Sequence, residues 1–147
     1  MEKNVKLPVA LDEEQMKMLK RMGYDTSKAS MAYYSYGNGK TVLREASDDP
    51  QVKKKCTPAF TLEDIMALLP AVELPFGHYG MVYPSVIKFE KDYYRCVYVA
   101  PNLGDNNLFV ITGTSALDAA FKMLLECHKR GYFGKVTVLD DGTKIYG

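Results

Sequence analysis

Cys96, Cys127, His78 and His128 carry the side chains best suited to nucleophilic or metal chemistry, and their spacing supports neither on its own. A Cys–His nucleophile needs a base beside the thiol, a third group to orient that base, and donors facing the developing oxyanion. Cys127 and His128 are neighbours in a helical pattern, so their side chains diverge by about 100°. Cys96 lies between Arg95 and Val97 in an apolar run, where a small core thiol is the commoner outcome. Without a CxxC or HExxH spacing, these ligand types do not make a zinc motif, and Cys56 falls in an expected loop. Convergence of Cys96, His78 and an acid in a pocket is the one arrangement that would make the chain a small hydrolase lacking a recognisable motif.

Other chemistry-bearing patterns are equally incomplete. Gly39-Lys40-Thr41 matches the end of a phosphate-binding P-loop, but the glycine required five positions earlier is Tyr34. The surrounding pattern is strand, tight turn, strand, which lacks the helix N-terminus that holds a phosphate. Adjacent carboxylates at Glu13-Glu14, Glu63-Asp64 and Asp140-Asp141 suit helix starts and a turn. No cofactor or metal is expected. Lys53-Lys54-Lys55 is the one strong basic run; with Lys40 or Arg44 it could contact phosphates, and tyrosines brought near it would offer stacking surfaces. Usually such a run is simply a solvated loop.

Eleven tyrosines and no tryptophan give the clearest pointer to an interface. Along the strand pattern around Cys96, Tyr94, Cys96 and Tyr98 share one face, while Tyr93, Arg95, Val97 and Val99 share the other. A strand covered on both sides would bury both sets. A one-layered sheet would leave Tyr94 and Tyr98 as interface candidates, homomeric or heteromeric.

The elements that must position these residues are well punctuated. Asp12, Gln15 and Gly23 predict a capped helix over 12–22, stapled by Leu11 and Met16. Met31 to Tyr36 and Thr41 to Glu45 predict a hairpin around Gly37-Asn38-Gly39-Lys40. Thr61 and Asp64 open a second helix that Pro70 stops, with Phe60 and Ile65 as its staple. Val82 to Phe89, Tyr93 to Ala100 and Leu108 to Thr112 read as an antiparallel meander, its last connection running from Asn102 to Asn107. Ser115 and Asp118 start the longest helix, ending near Arg130 at Gly131, with Leu117, Ala120, Phe121, Leu124, Leu125 and His128 as its buried stripe. Lys135 to Leu139 and Thr143 to Tyr146 surround Asp140-Asp141-Gly142 as a terminal hairpin.

The length of 147 residues suits a single domain over 1–147, with an internal linker expected at 46–57 and a C-terminal hairpin addition at 133–147. Nineteen basic against eighteen acidic residues leave a net charge of +1, too little for a field that gathers polyanions unaided. No run reaches the length of a membrane span, the N-terminus lacks a signal-peptide core, and an odd number of cysteines suits reduced thiols. These features predict a cytoplasmic protein.

Three blocks in order, Leu19 to Met31, Pro58 to Pro70 and Leu117 to Tyr132, resemble a family of small uncharacterised proteins of gut Bacteroides-type bacteria and their phages or prophages. The similarity spans most of residues 11 to 132. In that family tryptophan often occupies the strands and the final helix, where this chain has Tyr94 and Cys127. The resemblance implies provenance and carries no catalytic residue.

The expected architecture is α+β: an antiparallel sheet with helices packed mainly on one face, plus an N-terminal helix and hairpin. The leading expectation is a non-enzymatic accessory or protein-interaction module of bacterial or mobile-element origin. A nucleic-acid-associated phage accessory protein using Lys53, Lys54 and Lys55 is the alternative.

Overall fold

A computed structural model describes residues 9–37, 39–75, 81–99 and 107–147, the side chains of 107 and 108 excepted. The described residues form four helices and ten strands in three antiparallel sheets, an α+β fold. Length predicts one domain; the chain forms two compact units, Met1–Asp64 and Ile65–Gly147.

In the first unit, Asp12 and Gln15 make the expected reciprocal cap at the start of α1 (Glu13–Arg21). Gln15 N–H donates to the Asp12 carboxylate at 2.8 Å, and Asp12 N–H donates to the Gln15 side chain at 3.0 Å. Met16 and Leu19 turn inward, and Gly23 terminates the helix at φ +99°. β1 (Met31–Tyr36) and β2 (Lys40–Glu45) pair as the predicted hairpin, in a register running from Met31 opposite Glu45 to Tyr36 opposite Lys40. Asn38, at its tip, lies outside the described residues.

Residues 46–57 are not an irregular linker. Asp49 caps a one-turn helix, α2 (Pro50–Lys53), with its carboxylate accepting from Gln51 N–H at 3.0 Å. Proline suits a helix start because the N–H it lacks would have had no partner there. The chain then enters β3 (Cys56–Ala59), giving the sheet order β2-β1-β3. Pro58 is tolerated because β3 is an edge strand.

Next, α3 (Leu62–Leu68) starts at the predicted box: Thr61 N–H donates to Asp64 and Asp64 N–H to the Thr61 hydroxyl. Asp64 also accepts from Ser30 N–H at 2.9 Å and Ser30 O–H at 2.6 Å. One carboxylate therefore secures both the helix start and the entry to β1.

The second unit holds two sheets. β4 (Ala71–Glu73), β5 (Met81–Val82), β9 (Val136–Val138) and β10 (Lys144–Tyr146) form one in the order β5-β4-β10-β9. β6 (Ser85–Glu90), β7 (Tyr93–Val99) and β8 (Asn107–Gly113) form the other in sequence order. The expected strand over 82–89 divides at Pro84, and its two parts join different sheets. Ala100 and residues 101–106, expected to end one strand and connect to the next, lie outside the described residues. The terminal hairpin joins this sheet beside β4, with β9 at the edge and β10 between β4 and β9, where Ile145 is fully buried.

Packing explains the helix of this unit. Ser115 caps α4 (Ala116–Lys129) by accepting from Asp118 N–H at 2.9 Å, and Asp118 reaches back to Thr114 N–H at 3.0 Å. α4 lies against β6, β7 and β8. Its buried face includes Ala119, Met123 and Cys127 as well as Leu117, Ala120, Phe121 and Leu124; Leu125 and His128 are only half-buried, so the stripe is rotated from the expected one. Gly113 allows close approach: a Cβ there would come within 2.5 Å of Ala119 N.

Candidate functional site

The register of the β6-β7-β8 sheet decides which side chains share a face. Val86, Cys96 and Ile111 are cross-strand partners, as are Ile87, Arg95 and Thr112, and Ser85, Val97 and Val110. Cys96 and Tyr98 point to the interior and are both 0 % exposed. The interface expectation for Tyr98 is therefore corrected. Its ring meets Phe109 edge-on at 5.6 Å, and its hydroxyl donates to the Pro70 carbonyl at 2.6 Å. A buried phenol with its one donor satisfied by backbone is a core residue. Tyr94, on the same face, is half-buried, with the Lys88 ammonium 5.7 Å from its ring centre.

The opposite face presents the larger apolar surface. Ile87, Phe89, Tyr93, Val99 and Val110 are all exposed, although Val97 between them is buried. Phe89 and Tyr93 have ring centres 5.8 Å apart, and the Arg95 guanidinium lies 4.0 Å from the Phe89 centroid. Arg95 Nε is buried without a hydrogen-bond partner. Glu90, Lys91 and Asp92 form the exposed polar end of the β6–β7 hairpin, with Asp92 at φ +67°. That Tyr93, Arg95, Val97 and Val99 share a face was readable as alternation; the exposure of that face was not.

The basic run occupies the first unit. Lys53 ends α2, and Lys54 and Lys55 follow it, all exposed. Lys55 lines a cleft of about 290 Å³ with Tyr34, Tyr36, Asp49 and Gln51. Lys53 and Lys54 line a second, of about 470 Å³, with Lys20 and Tyr24. Cross-strand pairing puts Tyr34 beside Val42 and Cys56, Tyr36 beside Lys40, and Ala32 beside Arg44. Tyr34, Tyr36, Lys40 and Arg44 consequently share one sheet face. The Arg44 guanidinium lies 5.6 Å from the Tyr36 centroid. The sequence named these cations, but only the folded sheet brings the two tyrosines to them.

The thiols behave as core atoms. Burial pushes Cys96 up to about 12, with nearby Cys127 adding to the effect. Burial likewise pushes Cys127 up to about 11, against a lowering influence from Arg130. Both stay protonated at neutral pH, whereas the thiolate is the nucleophile. His128 packs beside Phe133 with ring centres 6.1 Å apart. His78 lies outside the described residues, so the proposed meeting of Cys96, His78 and an acid is not located. Among the described residues, no group of three His, Cys, Asp or Glu is placed to hold a metal, and no helix is long and apolar enough to cross a membrane. Comparison with protein-family models, curated proteins and solved structures gives no match.

Proposed function

We propose that this chain is a self-associating protein-interaction module that meets a second copy through the outer face of its β6-β7-β8 sheet. The observation that carries this reading is the contiguous cluster of Ile87, Phe89 and Tyr93 around Arg95. Exposed aromatic and aliphatic side chains beside a partly desolvated arginine have the composition of an interface centre. The occupant is a second copy because the face carries both members of a charge pair. The Arg95 guanidinium lies against Phe89 within the cluster, while Glu90 and Asp92 stand exposed at the adjoining hairpin end. A two-fold contact places each patch against its own equivalent, so a patch bearing both signs can satisfy itself.

A bacterial or mobile-element accessory role, in the cytoplasm, completes the proposal and rests on the resemblance of the three sequence blocks. Light scattering coupled to gel filtration, from low micromolar to near-millimolar chain, tests the interface. The expected result is a concentration-dependent dimer that Phe89→Asp returns to monomer while the circular-dichroism spectrum stays unchanged. A wild-type monomer throughout the range, or a dimer indifferent to Phe89→Asp and Tyr93→Asp, overturns the reading.

A further inference from the structure

The geometry points to a second binding surface, on the β2-β1-β3 sheet, that takes single-stranded nucleic acid. Tyr36 is 46 % exposed and stands opposite Lys40, with the Arg44 guanidinium near its ring. Lys55 lines the adjoining cleft together with Tyr34 and Gln51. An unstacked base can lie on the open tyrosine ring while Lys40, Arg44 and Lys55 meet the phosphates that flank it. Lys53 and Lys54, with Lys20, extend the same cationic line into the larger cleft. Two successive clefts sharing one lysine run suit a polymer better than an isolated phosphate.

Two carboxylates, Asp49 and Asp25, line these same clefts and offset part of the lysine charge. The Asp49 carboxylate is engaged in capping α2, and Asp25 accepts from Ser27 N–H and Ser27 O–H. Glu45 falls on the other face, opposite Met31. Tyr34 is held by donating its hydroxyl to the Glu45 carbonyl at 2.9 Å, which fixes its ring as a wall of the cleft. Single strands are favoured over duplex because stacking on Tyr36 requires a base already free of its neighbours. The residual negative charge implies modest affinity and strong dependence on salt.

Fluorescence anisotropy of labelled oligo(dT) and oligo(U) with the intact chain tests this inference. Binding is expected at low salt, with log affinity falling linearly against log salt. Replacing Lys53, Lys54 and Lys55 together by alanine should flatten that slope by about 2, since each single-strand phosphate contact contributes about 0.7. Tyr36→Ala should weaken binding about tenfold through loss of stacking, whereas Tyr36→Phe should retain it. Thermal melts of all variants guard against misfolding, and Phe89→Asp should bind normally, which separates this surface from the proposed self-association. Absence of binding at low salt, equal affinity for duplex, or equal loss in Tyr36→Phe and Tyr36→Ala would overturn the inference.

Discussion

The two three-stranded antiparallel sheets use tyrosine in opposite ways. In β6-β7-β8, α4 closes one face, and Tyr98 becomes a core residue bonded to the Pro70 carbonyl. In β2-β1-β3, Tyr34 and Tyr36 line an open cleft beside Lys55. Residue type is the same and strand pattern is similar. What differs is whether a helix supplies an apolar stripe to cover the face, as α4 does with Leu117, Phe121 and Leu124. A tyrosine-rich strand therefore acquires its role from its covering layer.

The strongest way to break this contrast is to damage that cover. Leu124→Ala should lower stability by about 2–5 kcal/mol through lost burial and a cavity, measured by urea unfolding. A loss below about 1 kcal/mol would mean that the site collapses easily and that α4 is not the tight layer described. Tyr98→Phe comes next. It preserves the ring but leaves the Pro70 carbonyl without its 2.6 Å donor, an expected loss of about 1–3 kcal/mol. An unchanged stability would reduce Tyr98 to ring packing alone.

The smallest effect concerns the anchoring of the open sheet. Burial alone would raise the Asp64 pKa, but hydrogen bonds from Ser30 and Thr61 outweigh it and hold the carboxyl below its ordinary value of 3.8. Because the folded pKa is depressed, the resulting stability is present above that ordinary value and is lost as pH falls through the folded pKa. Asp64→Asn should cost about 1 kcal/mol at neutral pH and remove part of the acid-limb slope. Parallel acid limbs in wild type and variant would show that the carboxylate charge contributes nothing there.

Helix boundaries were legible because caps are local. Asp12 with Gln15, Thr61 with Asp64, and Ser115 with Asp118 each announce a helix within four residues, and Gly23 and Gly131 end theirs with positive φ. Pairing between neighbouring strands was legible in the hairpins and the meander, but partnership between distant segments was not. Nothing around Cys56 announces that it will stand opposite Tyr34, and Ala71 to Glu73 are too short for alternation to declare a strand. The candidate surfaces inherit that limit. Lys53 to Lys55 were visible as a run, but their tyrosine neighbours depended on β3 joining β1. Tyr98 was visible as a strand residue, while its burial depended on α4 and Pro70.

The place of β10 between β4 and β9 has a kinetic consequence. Val72 pairs with Ile145, so the segment containing the entire β6-β7-β8 sheet and α4 is looped out between two strands that must meet. The local hairpins and α4 can form early, each from near neighbours in the chain, whereas closing so large a loop is entropically costly before its contacts reward it. Strand β10 is thus the latch of its unit, and its docking is the expected slow step in refolding.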